Sequence, residues 1–596
     1  MAGASRPPRG ALVDGSAMTP RIARERRGQG ATIGQIDDQV VTFEADAADA
    51  RHPSIILLRW KIERDGVLAP DLAMDPAVQP DHAMLADMGS PRSVKRAPHR
   101  GCCRAAAIMT ALAPSVFQAA GANSVDMRSL LTSVVRCKPV TGFFAPEEHE
   151  SEPLARSFGL FQLTMLGVGG TIGTGIFIAL TTAVPEAGPA VTISFVIAGI
   201  TAALTALCYA ELASAVPAAG SSYSYAYATL GELAAFLIGA CLLLEYGVSA
   251  SAIAVGWGQY LNELMTVTIG WRIPDALAKP PGSGGVVNLP AVALIGLCLL
   301  LLLRGARESI RANTALVIAK LAVLAMFVVI ALAHFSATNF RPFAPKGMIG
   351  IGSAASSIFF SYIGIDAVAT AGEEVDNPHR NLPLAIIFSL LIVTAAYILV
   401  AIAAIGAQPW TRFAGQEAGL SVILRNLTGL GWPSLLLTLG ATMSIFSVTL
   451  VVLYGQTRIL YAMSQDGLLP AFFRRVDPIS KVPRQNTWVV AAGVALLAAV
   501  FPLDVLVNLT SMGTLIAFAA VSIGVIIFRR RRPGLPRGYR VPFFPALPLL
   551  SAAFCLYLIA SLPADTFLLF ALWIGCACLI YFTYSIHRSG LKSSNR

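Results

Sequence analysis

The stretch Leu163-Thr164-Met165-Leu166-Gly167-Val168-Gly169-Gly170-Thr171-Ile172-Gly173-Thr174-Gly175-Ile176-Phe177 places five glycines within nine residues of an apolar run. Each interior glycine costs a helix about 1 kcal/mol relative to alanine. Small residues also serve close helix packing in membranes, but that use predicts glycines four apart on one face. Here Gly169, Gly170, Gly173 and Gly175 point in several directions. The reading is a membrane helix that breaks near Ile172–Gly175, with the chain locally extended.

A second weak point lies in Phe359-Phe360-Ser361-Tyr362-Ile363-Gly364-Ile365-Asp366-Ala367-Val368, where Gly364 and Asp366 interrupt an otherwise apolar helix. Paired interrupted spans in the two halves of a chain are the best sequence pointer to the midplane site of a transporter. Unwound backbone in a bilayer leaves N–H and C=O groups that are costly unless they line a polar cavity. A half-helix N-terminus suits a carboxylate, and half-helix C-terminal carbonyls suit an ammonium. Together they describe a site for a zwitterionic α-amino acid. Glycine lets the backbone approach a ligand closely, so Gly173 and Gly175 belong to the site, and the hydroxyls of Thr171 and Thr174 can add contacts.

Working outward, the 596 residues are 55% hydrophobic and 13% charged, against an ordinary charged share of about 25%, and the mean hydropathy is +0.66. Composition therefore excludes a set of soluble domains and gives an all-α polytopic membrane protein. Runs of about 20 apolar residues predict twelve spans near 160–182, 189–214, 231–261, 287–303, 313–334, 351–374, 382–407, 432–462, 487–502, 504–527, 544–562 and 564–586, with the cut at Pro502 the least secure. The breaks fall in spans one and six, matching positions if spans 1–5 and 6–10 are inverted repeats. With the N-terminus inside, the inner loops and tail carry 18 Lys and Arg, Arg529–Arg532 among them, and the outer loops 6. The positive-inside rule then puts both termini in the cytoplasm. Most of the net charge of +10 sits in this hydrophobic part, which fits basic loops beside a lipid leaflet rather than a nucleic-acid partner.

Residues 1–126 are rich in Arg, Ala, Pro and Asp, with 15 basic and 14 acidic side chains, a composition that stays disordered. They read either as a flexible cytosolic extension or as upstream translation of a gene whose start is Met127. No secretory signal pattern is visible. Residues 127–157 form a cytoplasmic lead-in, 158–588 the transmembrane domain and 589–596 a cytoplasmic tail. Six of the nine cysteines lie in apolar runs as small hydrophobes, and none has metal-ligand context; no metal or cofactor is expected.

Ionisable residues inside spans are functional candidates. Lys320 lies about eight residues into span five, too deep for easy snorkelling. It could exchange a proton as water access alternates, replace a bound sodium ion structurally, or only bridge helices. Glu245 on span three could pair with a basic substrate side chain, accept a proton or brace helices. Asp366 sits at the sixth-span break, and Glu211 at the inner end of span two reads as an anchor for the loop beyond it. Phe360, one residue before Ser361, reads either as a packed aromatic or as a gate.

The motif Gly173-Thr174-Gly175-Ile176-Phe177 resembles the first-helix signature of the amino acid–polyamine–organocation superfamily. Tyr209-Ala210-Glu211-Leu212-Ala213, followed by Pro217-Ala218-Ala219-Gly220-Ser221-Ser222-Tyr223, is similar to its second-helix signature. The stretch ending Glu373-Glu374-Val375-Asp376-Asn377-Pro378 resembles the cationic amino acid transporter branch, as does Tyr454-Gly455-Gln456-Thr457-Arg458 with Ser464-Gln465-Asp466-Gly467-Leu468-Leu469-Pro470. The resemblance, over roughly 128–588, implies a LeuT-type fold of two inverted five-helix repeats plus two further helices. It implies secondary transport of amino acids, not enzymatic chemistry, across the plasma membrane. It implies substrate contacts at Ile172, Thr174 and Gly175 and at Phe360, Ser361 and Ile363, an acidic third-helix position at Glu245, and a fifth-helix lysine, Lys320, at the position of a sodium site.

The expectation is a permease coupling cationic or small neutral L-amino acid uptake to protons by alternating access. An amino acid/amine exchanger and a non-transporting amino acid sensor of the same fold are the alternatives. The eighth-helix stretch around Thr442–Ser447, which the resemblance places at the side-chain pocket, does not choose between substrate classes. A membrane enzyme would need a nucleophile–base pair or clustered ligands in the spans, and the sequence displays neither.

Overall fold

The computed structural model describes residues 32–37, 40–45, 56–62, 68–72, 136–138, 159–173, 175–215, 221–304, 310–364, 368, 375–429, 431–477, 482–534 and 537–590. The chain divides into two units, Met1–Pro98 and His99–Arg596. In the first, β1 (Thr32–Asp37), β2 (Val40–Ala45), β3 (Ile56–Ile62) and β4 (Leu68–Leu72) form an antiparallel meander in the order β1-β2-β3-β4. Here Val40-Val41-Thr42-Phe43 and Ile56-Leu57-Leu58-Arg59-Trp60 concentrate the β-branched and aromatic residues that favour strands.

The second unit is helical. It comprises α1 (Leu160–Thr171), α2 (Gly175–Ala187), α3 (Val191–Ala215), α4 (Ser221–Thr229), α5 (Glu232–Leu243), α6 (Ser249–Ile269), α7 (Leu289–Leu303), α8 (Ile310–Ala333), α9 (Gly347–Phe359), α10 (Pro378–Ala407), α11 (Gly419–Thr428), α12 (Gly431–Gln465), α13 (Arg484–Val500), α14 (Leu503–Arg531), α15 (Ala546–Ala560) and α16 (Ala564–Ile580). Short turns join some of them. Among the described residues, seven helical segments are long and apolar enough to cross a membrane: Gly175–Ala215, Glu232–Ile269, Asn313–Ala333, His379–Ala407, Gly431–Gln465, Leu503–Arg531 and Ala564–Arg588. Leu289–Leu303 and Ala546–Ala560 are shorter apolar helices.

Proline sets many of the starts. α13, α14, α15 and α16 each begin immediately after one (Pro483, Pro502, Pro545, Pro563), and α10 begins with Pro378. A proline lacks the N–H that a first-turn position leaves unpaired anyway, and its fixed φ suits helix entry. Pro502 accordingly separates α13 from α14, as the predicted cut requires. Between α5 and α6, Leu244–Val248 forms a π turn, a local widening that the hydropathy pattern does not reveal.

α10 packs on α1 and α3, and α9 on α2 and α3; α6, α7, α12 and α13 pack on one another, and α12 also touches α1 and α8. Lead-in and tail meet at one end: Lys138 Nζ lies 2.8 Å from Asp466 Oδ1, and the Gly590 N–H donates to the Asp466 carbonyl at 2.9 Å.

Candidate functional site

Helix α1 stops at Thr171. Ile172 takes an extended conformation (φ −78°, ψ 94°), its N–H donating to Val168 O at 2.8 Å, and α2 starts at Gly175. Helix α9 tightens into a 3-10 turn over Phe360–Tyr362, after which Ile363 is extended (φ −62°, ψ 142°) and Gly364 has φ +98°. Both expected interruptions are therefore present. Asp366 and Thr174 lie outside the described residues.

The two breaks touch. A Cβ placed on Gly175 would fall 1.9 Å from Ser361 Cβ and 2.4 Å from its Cα. A Cβ on Gly364 would fall 2.6 Å from Gly170 O, at a φ that L residues rarely adopt. Glycine at these two positions is what lets one broken backbone lie against the other. Gly173 faces the eighth-span helix, where a Cβ would meet Val448 Cγ2 at 2.2 Å.

A helix C-terminus leaves its last carbonyls without intrahelical partners, and in a bilayer each such group is expensive. At the end of α1 they are met by side chains from three other helices. Lys320 Nζ on α8 donates to Gly169 O at 3.1 Å. The Tyr397 hydroxyl on α10 donates to Thr171 O at 2.9 Å, and lies equally close, 2.9 Å, to Ser361 O at the other break. The Ser444 hydroxyl on α12 lies 3.4 Å from Ile172 O. The Ser361 hydroxyl turns back onto its own helix and donates to Ile358 O. Ile172, Phe360, Ser361 and Ile363 are buried, and Lys320 is 4% exposed.

The structure thus brings together Ile172, Gly173, Gly175, Phe360, Ser361, Ile363 and Lys320. Glu245 is fully buried in the π turn, and a Cβ on Gly513 of α14 would lie 3.7 Å from its backbone nitrogen. Glu211 anchors a loop. Arg529 Nε donates to its carboxylate at 2.7 Å and Arg529 Nη2 at 2.5 Å, and the Val541 N–H donates at 2.7 Å. The loop held is the one after α14.

Tyr397 was not singled out from the sequence, although a hydroxyl that shares Leu391-Ile392-Val393-Thr394-Ala395-Ala396-Tyr397-Ile398-Leu399-Val400 only with Thr394 is a signal of the right kind. Ser444 lies in the eighth-helix stretch flagged for the side-chain pocket.

Comparison with known proteins follows the same residues. The pattern of the family described as amino acid permease matches residues 158–586. A methylthioribose transporter of Bacillus subtilis (strain 168) is 42% identical over 477 residues, covering 78% of this chain and 100% of that protein. The branched-chain amino acid permease BcaP of the same organism is 42% identical over 464 residues, 77% and 99% of the two chains. The vacuolar cationic amino acid transporter 4 of Arabidopsis thaliana is 37% identical over 418 residues, 68% and 69% of the two chains.

Proposed function

The chain belongs to the amino acid permease family, a branch of the amino acid–polyamine–organocation superfamily of membrane transporters, and from that premise we propose that it is a proton-coupled importer of neutral, aliphatic L-amino acids. The observation that carries the reading is the direct contact of the two interrupted helices, Gly175 against Ser361. It gathers the free ends of two half-helices at one point, where an ammonium and a carboxylate can each find backbone partners.

The side chains beside the breaks favour an uncharged substrate. Ile172, Phe360, Ile363 and Val448 are apolar, and Ser444 is neutral. The relatives named as branched-chain permeases, at 42% and 33% identity, agree with that choice. The relative named a methylthioribose transporter favours a second reading, a ligand without an ammonium, and competition between the two ligand classes separates them.

In this account the interruptions fall in spans one and six of twelve, arranged as two inverted five-helix repeats plus two. Both termini are cytoplasmic and the membrane is the plasma membrane. The group of α1, α2, α3, α9 and α10 moves against the group of α6, α7, α12 and α13, opening the site to either side in turn. Lys320, with its ammonium on the Gly169 carbonyl, holds the first break when charged and releases it when neutral, so that protonation and closure are linked. Purified protein in liposomes should take up radiolabelled leucine when an inward proton gradient is imposed. Lys320→Ala should leave uptake that no longer responds to that gradient; a gradient response equal to wild type refutes the role of Lys320.

A further inference from the structure

The Tyr397 hydroxyl has one proton and two acceptors, Thr171 O and Ser361 O, each at 2.9 Å. The two oxygens belong to different interrupted helices, 190 residues apart in the chain. Shared, three-centre hydrogen bonds are common at helix termini, but here the shared proton joins two termini. We propose that Tyr397 is a positioning residue for transport: it ties the two breaks into one unit and aims their carbonyls at the ammonium of the substrate.

The argument rests on lone pairs. Each carbonyl oxygen has two. At Thr171 and at Ser361 one is directed to Tyr397, so the carbonyl is held in orientation while the second pair stays available to a ligand. Without the hydroxyl, two partial negative charges at helix C-ends face one another across a few ångströms. They then repel, and each is free to turn away. Tyr397 itself is fully buried and cannot swing out easily: its ring packs edge-on against Phe195 (centroids 6.1 Å apart) and Tyr362 (5.5 Å). The tie therefore has a fixed base on α10, a helix packed against both α1 and α3.

The inference rests on the amino acid reading above for its substrate, but the tie can be measured without one. Tyr397→Phe keeps the ring and removes only the hydroxyl. Tyr362→Phe is the matched control, since the Tyr362 hydroxyl reaches Phe195 O at 3.4 Å and neither break. Two readouts apply to purified protein in liposomes or nanodiscs. The first is leucine uptake, in which Tyr397→Phe should raise KM by about tenfold, the equivalent of one well-made hydrogen bond, with Vmax changed by less than about threefold on the same scale. A purely structural role would instead lower Vmax and leave KM in place. The second is backbone hydrogen exchange without ligand, which should quicken together in peptides covering 168–177 and 358–364 in Tyr397→Phe, and in neither for Tyr362→Phe. Wild-type uptake with an unchanged KM in Tyr397→Phe overturns the inference. If wild type carries no amino acid, the substrate reading fails, and exchange decides alone: unaltered protection at either break overturns the tie.

Discussion

At the scale of single residues, the site is decided by what is missing from Gly175. Any side chain there must push Ser361 aside by more than an ångström, because even a methyl would overlap its Cβ and Cα. Overpacking of this kind costs about 1–3 kcal/mol in a well-packed interior, a strain that a large helical unit tolerates. Gly175→Ala should therefore fold, as judged by its melting in detergent, while leucine uptake drops below about a tenth of wild type, since a displacement near 1 Å can cost a hundredfold in function. Wild-type uptake by that variant would show that the contact is not the site. Much at this scale was legible. Glycines at 173 and 175 and the polar Ser361 stand out against apolar neighbours. Tyr397 did not stand out, and Ser444 did so only as part of the stretch Thr442–Ser447, because a hydroxyl's target is a carbonyl brought near by folding, and no spacing in the sequence encodes that meeting.

At the scale of elements, hydropathy located the helices and proline located many of their starts, but neither could say which helix end holds which loop. Glu211 illustrates this. Its position near the end of α3 marks it as an anchor, yet its partners come from the end of α14 and the loop after it, more than 300 residues later. The ion pair joins the ends of two helices to the loop after α14, with the Glu211 side chain fully buried and that of Arg529 18% exposed. Removing one partner of a buried pair leaves an uncompensated charge and costs about 3–5 kcal/mol. Glu211→Gln keeps an acceptor for the Val541 N–H and loses the charge, so it should fall at the lower end of that range. A thermal melt should show the drop, and Arg529→Leu added to it should restore part of the loss. A melt equal to wild type for Glu211→Gln would mean the pair contributes nothing. The π turn at Leu244–Val248 was invisible in the sequence for a related reason. A one-residue widening leaves the apolar pattern intact.

At the scale of the whole molecule, composition alone identified a helical membrane protein, and the paired interruptions carry the proposal of where its chemistry lies. Within 1–98, a charged and proline-bearing segment conceals short β-branched runs whose pairing depends on one another. The remaining claim is that two broken helices, held apart in sequence and together in space, grip an amino acid by its backbone groups. The most direct test is a structure of the full chain in lipid with saturating leucine. The account predicts ligand between the two breaks, its ammonium within hydrogen-bond distance of main-chain carbonyls at Thr171–Ile172 and Phe360–Ser361. Leucine bound elsewhere, with Gly175 still closed on Ser361, would contradict it.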